Sequence, residues 1–120
     1  MASSPKELLN ELMQTEGALC AALVDYSSGM LLESVGSGVD LELAAAGNTE
    51  VVRAKLKTMS SLKLNDKIED ILISLGNQYH IIRPVDKHDG LFIYYVLDRK
   101  RSNLAMARRK VLEAEAQTAL

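Results

Sequence analysis

Cysteine is nearly missing from this chain: Cys20 stands alone among 120 residues. A lone thiol closes no internal disulfide, which excludes a disulfide-stapled scaffold. Proline is confined to Pro5 and Pro84, and no internal repeat, low-complexity segment or linker interrupts the chain. Tryptophan is absent, and the one Phe and four Tyr fall mostly in expected strands. Nucleic-acid binding calls for exposed aromatics among basic residues, so that function is not expected. No apolar run reaches the roughly 18 residues of a membrane span, so membrane insertion is not expected. Charge of one sign is lacking too: 14 basic against 16 acidic residues leave a net charge of -2. That balance gives no pull toward nucleic acid or anionic lipid. The opening MASSPKELLNE has no basic stretch followed by an apolar one, unlike a secretory signal, so a cytoplasmic protein is expected.

What is present reads as one domain over residues 1–120, with a core of about 6–117. Ser4, Pro5 and Glu7 have the N-cap, N1 and N3 chemistry of a capping box, and Leu8, Leu9, Leu12 and Met13 follow as a helical stripe. That helix stops near Gly17. GALCAALVD is apolar on both strand faces, YSSG has turn chemistry, and MLLESV returns, so residues 17–35 read as a hairpin.

Asp40 suits the N-cap of a long helix from Leu41 to about Ser61, with Leu41, Ala44, Ala45, Val52, Leu56 and Met59 apolar. Gly47-Asn48 lies in its middle, where glycine costs roughly 1 kcal/mol against alanine. Two accounts stand: a tolerated defect, or a close contact with another helix at AAAG. Strands follow at Lys67–Leu75, Gln78–Val85 and Gly90–Asp98, and Ser102 reads as the cap of a last helix. The order is α-ββ-α-βββ-α. The fold class is α/β (α+β): a five-stranded antiparallel sheet flanked by helices. The closing strand LFIYYVL is apolar on both faces, so the long helix should cover one side and the terminal helices the other.

Catalytic chemistry is sparse. Cys20 with His80 or His88 has no spacing that makes a nucleophile pair. His88 between Asp86 and Asp89 reads as a solvated turn, since structural metal sites take four ligands. Gly36-Ser37-Gly38 precedes a helix but lacks the phosphate-loop pattern. Arg99-Lys100-Arg101 and Arg108-Arg109-Lys110 read as solvated, or as a surface for an acidic protein. No enzyme activity, cofactor or metal is expected. The strand KIEDILISL is apolar, free of proline and placed for a sheet edge, a combination that invites pairing with its own copy.

These stretches — GALCAALVDYSSGMLLES, the helix from Asp40, EDILISLGNQYHIIRPV and GLFIYYVLDRKRSNLAMARRKV — resemble the Roadblock (dynein light chain) family, which includes bacterial MglB-type proteins. The likeness runs from Lys6 to Gln117. DYSSG departs from it, since many relatives have a tighter Asp-Gly turn, and so does Gly47-Asn48. The resemblance implies a Roadblock/profilin-like sandwich that forms a homodimer through the long helix and the next strand. By position the dimer residues are Ala44, Gly47, Val51, Ile68, Ile71 and Ile73. A small Ras-like GTPase is implied as partner on the two-helix face, where Glu50, Arg53, Lys55 and Lys57 are exposed candidates. Such modules regulate or scaffold and are not enzymes by themselves. No residue offers an arginine finger. A PAS- or profilin-like ligand sensor also suits a five-stranded sheet flanked by helices, and a third reading keeps the dimer as a scaffold for a non-GTPase protein partner.

Overall fold

The computed structural model describes residues 4–117. Helix α1 (Pro5–Leu12) starts on the expected capping box. Glu7 N donates to Ser4 Oγ at 3.2 Å, and Ser4 N donates to the Glu7 carboxylate at 3.3 Å. Strands β1 (Ala18–Asp25) and β2 (Met30–Gly36) form the expected hairpin. Its turn is fixed by Asp25, whose carboxylate accepts from the Ser27 hydroxyl at 2.6 Å and the Ser27 N–H at 2.9 Å. Those bonds hold the Asp25 carboxyl below its usual pKa. GSG is a turn: Gly36 has φ +80°, and a methyl there would strike the Leu19 carbonyl and Cys20 Cα.

Asp40 caps helix α2 (Leu41–Ser61) by accepting from Leu43 N at 3.2 Å. Strands β3 (Ile71–Ser74), β4 (Gln78–Pro84) and β5 (Leu91–Asp98) lead to helix α3 (Leu104–Ala116). The last helix is capped by Asn103, not Ser102: the Asn103 side chain accepts from Met106 N at 3.1 Å. Ser102 instead donates to the Asp98 carbonyl at 2.6 Å, closing the preceding turn.

The expected strand Lys67–Leu75 shrinks to Ile71–Ser74. The register that pairs Ile71 with Ile82 would bring Glu69 opposite Pro84, which has no N–H to donate. Glu69's carbonyl accepts from Arg83 Nη1 at 3.1 Å instead. Asp70 is drawn to α3, where Arg108 grips it through two bonds of 2.8 and 2.9 Å. The pairing raises the Arg108 guanidinium pKa.

All five strands pair antiparallel in the order β2-β1-β5-β4-β3, with β5 central and β3 at an edge. Both faces of LFIYYVL are buried, as its sequence requires. One core joins Leu8, Leu9 and Leu12 of α1 and Ala107, Val111 and Ala114 of α3 to Ile93, Tyr95 and Leu97. The other joins Ala45 and Val52 of α2 to Cys20, Ala22, Phe92, Tyr94 and Val96. The small side chains of β1 let α2 lie close to the sheet.

A polar clamp ties α3 to β4. Arg83 Nε donates to Glu115 Oε1 at 2.6 Å, and Asp86 N donates to Glu115 Oε2 at 2.9 Å. The Arg83 and Glu115 side chains are 11% and 5% exposed, so this ion pair is shielded from solvent.

Candidate functional site

Among the described residues, strand β3 is hydrogen-bonded to β4 alone, so its other edge is open. Leu75 N donates to Gln78 O at 2.8 Å, which fixes the phase of the ladder. Residues two apart repeat that pairing, so Ile71 and Ile73 bond toward β4. The N–H and C=O groups of Leu72 and Ser74 therefore point outward, the arrangement that accepts another strand.

Beside this edge, a groove is lined by Val51, Ala54, Lys55 and Thr58 of α2 and by Asp70 and Ile71. Helix α2 thus carries two apolar stripes, because side chains advance about 100° per residue. Leu41, Ala45, Val52, Leu56 and Met59 face the sheet. By that spacing Leu43, Gly47, Val51, Ala54 and Thr58, continued by the C-cap Leu62, form the second stripe, of which Val51, Ala54 and Thr58 line the groove beside β3. Leu43 is 70% exposed and Leu62 61%. Among the described residues, nothing lies within 4 Å of where a Gly47 side chain would begin, so no other helix packs against Gly47.

Of the expected dimer residues, Val51 and Ile71 line the groove, and Gly47 lies on the same stripe of the helix. Ala44 and Ile73 are half-buried against the α2-side core. Ile68 lies outside the shortened β3, in a second groove with Tyr26, Val52, Leu56, Pro84 and Val85. The cause is the early end of the ladder at Pro84. Of the four partner-surface candidates, Glu50, Arg53 and Lys57 share one flank of α2 at i, i+3, i+7 spacing, and Lys55 lies on another side. Arg53 donates to the Ser27 carbonyl and fastens α2 to the β1–β2 turn. Lys55 lines the β3 groove. Glu50 and Lys57 remain exposed on the outer flank of α2. The stripe through Leu43, Ala54, Thr58 and Leu62 escaped the sequence reading, although its spacing is legible once the core stripe is subtracted. The basic clusters are partly spent inside the fold: Arg99 donates to Leu75 O and lies over the Tyr79 ring at 5.2 Å, and Arg109 pairs with Glu113 at 3.3 Å.

A polar network lies beneath α2. Tyr94 donates its hydroxyl to His80 Nδ1 at 2.9 Å, and His80 Nε2 donates to Gln78 Oε1 at 2.8 Å. Burial pushes the Tyr94 hydroxyl up to about 12, so it stays protonated and able to donate. Burial also lowers the His80 pKa, keeping the ring neutral. A depressed histidine pKa makes the folded state bind fewer protons than the unfolded one. Its contribution to stability is full above the unfolded value near 6.5 and falls as pH drops below it. Urea unfolding should therefore show stability declining from pH 7 to pH 5, with a flatter profile in His80→Gln. An unchanged slope in that variant would contradict the assignment.

Both His80 ring nitrogens are occupied, and Cys20 is buried with its thiol pushed up to about 11 by desolvation. These groups do not form a nucleophile and base. Among the described residues, no three His, Cys, Asp or Glu side chains gather as a metal site, and no helix is long and apolar enough to cross a membrane.

The layers, strand order and lone central helix define an α+β three-layer sandwich whose sheet ends at β2 on one side and β3 on the other. More particularly, the chain has the Roadblock/LC7 fold. It superposes on the Roadblock/LC7 domain from Streptomyces avermitilis with a TM-score of 0.81, at 13% identity, covering 95% of this chain and 93% of that one. Myxococcus xanthus MglB gives a TM-score of 0.81 at 16% identity, covering 93% and 89%. The gliding protein MglB from Thermus thermophilus gives 0.78 at 16% identity, covering 91% and 81%. No family profile and no curated protein matches the sequence.

Proposed function

We propose that this chain is a non-catalytic, dimeric regulatory or scaffold module of the cytoplasm that binds a small Ras-like GTPase. The observation that carries this reading is the open β3 edge beside a second apolar stripe on α2, within the fold of the MglB proteins. A second copy is the natural occupant. It would extend the sheet across a two-fold axis and bury Val51, Gly47 and Ile71, with Ala44 and Ile73 behind them. Two α2 helices would then lie side by side on one face of a ten-stranded sheet, twice the five strands of one chain. Their outer surface, with Glu50 and Lys57 at its centre, is offered to the GTPase, while Lys55 falls inside the groove and Arg53 toward the hairpin turn.

The test uses the purified chain as bait in native lysate, with captured proteins identified and then re-bound in purified form loaded with GTP or GDP. The expected result is direct binding of a Ras-like GTPase with a preference for one nucleotide state. Capture of no nucleotide-binding protein by a dimeric bait would overturn the GTPase and favour a scaffold for another protein.

A further inference from the structure

We infer that the second groove, beside the β4–β5 loop, holds one bulky apolar side chain of a partner protein, flanked in that partner's sequence by lysine or arginine. This goes beyond the dimer and the GTPase and rests on neither. The groove uses the sheet-facing side of α2, not its exposed flank.

Four parts of the chain meet there. Helix α2 contributes Val52 and Leu56, the segment between α2 and β3 contributes Ile68, and the end of β4 contributes Pro84 and Val85. Tyr26, at the β1–β2 turn, adds an aromatic ring that stacks on Phe92 at 6.4 Å. Backbone bonds hold these parts in place. Tyr26 N donates to Gly90 O at 2.8 Å, and Val85 N donates to Leu91 O at 3.0 Å. Asp86 N is held by Glu115 at 2.9 Å. The groove is therefore formed before anything enters it, which spares an occupant the cost of ordering the walls.

Size and charge say what fits. The cavity is 240 Å³. Small-molecule pockets run roughly 300–1,000 Å³, so this one is small for a cofactor. It suits a single anchor the size of leucine, methionine or phenylalanine, the way interface hot spots fill pockets. The rim sets Asp66, Asp86 and Asp89 against Lys67 alone. Asp86 already faces Lys67 at 3.4 Å and Arg83 at 3.9 Å. Among the described residues, Asp66 and Asp89 pair with no cation, and the Asp66 carboxylate accepts only from the Lys67 N–H, at 2.8 Å. Two exposed carboxylates thus stand beside an apolar floor without a counter-charge. An apolar anchor with a neighbouring lysine or arginine satisfies both features, and an acidic segment is repelled.

A library of random heptapeptides displayed on phage and panned against the purified chain tests this. Enriched peptides should carry Leu, Ile, Met or Phe next to Lys or Arg. A synthetic peptide of the enriched sequence should shift the NMR signals of Ile68 and Val85. Asp66→Lys combined with Asp89→Lys should weaken its binding about 5- to 50-fold, and added salt should weaken binding to the parent chain. Both aspartates are exposed, so circular dichroism of that variant should match the parent. Ile68→Ala should also weaken binding while keeping the salt dependence. An acidic or uncharged consensus, signals shifted elsewhere, undiminished binding to the double-lysine variant, or no enrichment at all would overturn the inference. Binding of free isoamylamine as tightly as the peptide would assign the groove to a small amine and overturn the protein anchor. Each of these outcomes leaves the dimer and the GTPase reading standing.

Discussion

Replacing Glu115 with alanine is expected to destabilise the fold by about 3–5 kcal/mol, the cost of stranding one member of a buried ion pair. Glu115 does two jobs. One oxygen accepts from Arg83 Nε at 2.6 Å and the other from Asp86 N at 2.9 Å. Truncation takes the acceptor from Arg83 Nε, on a guanidinium that is 11% exposed, and from the Asp86 N–H, and leaves the Asp86 carboxylate, 3.9 Å from Arg83 Nη2, as the remaining counter-charge. Arg83 also donates to the Glu69 carbonyl, so the segment entering β3 should loosen as well. The measurement is urea unfolding, where the midpoint should fall by more than about 1 M given a slope of about 1–3 kcal/mol/M. Arg83→Met with Glu115→Leu should recover much of the loss, because two apolar side chains leave no uncompensated charge. A midpoint within about 0.3 M of the parent for Glu115→Ala would show that the pair is not shielded.

Changing Ser74 to proline is expected to abolish self-association while leaving the folded chain intact. Ser74 is exposed, and its N–H points away from β4, so the substitution breaks no bond of the existing ladder. What it removes is a donor on the open edge, and its ring obstructs an approaching strand. Ile71→Lys attacks the same site through the side chain, by putting a charge in the groove with Val51 and Ala54. Burying that lysine unpaired costs several kcal/mol, so monomer or insoluble protein is expected. Light scattering on both variants reads the outcome. A dimeric Ser74→Pro would mean that the β3 edge is not the contact.

Much of this architecture was legible in the sequence because it rests on local chemistry. The capping box at Ser4–Glu7, the cap at Asp40, the turn at Asp25–Gly29 and the double apolar faces of LFIYYVL each specify one element with little help from the rest of the chain. The misses share a different cause. KIEDILISL has strand propensity throughout, yet its first residues leave the ladder because a proline elsewhere, Pro84, denies them a donor. Ile68 was carried off the candidate edge for that reason. The Arg83–Glu115 and Arg108–Asp70 pairs span 32 and 38 residues, and no local pattern announces them. The lateral stripe of α2 was hidden by alanine, glycine and threonine, which score weakly as apolar although small size is what a helix contact requires.

Backbone hydrogen exchange at Leu72 and Ser74 tests the proposed dimer most directly, because those amides have no partner in the single chain's ladder. At high micromolar concentration they should be protected to a degree comparable with Ile71 and Ile73, and dilution should release them while the Ile71 and Ile73 amides stay slow. Fast exchange of Leu72 and Ser74 at every concentration, beside protected Ile71 and Ile73, would contradict the account.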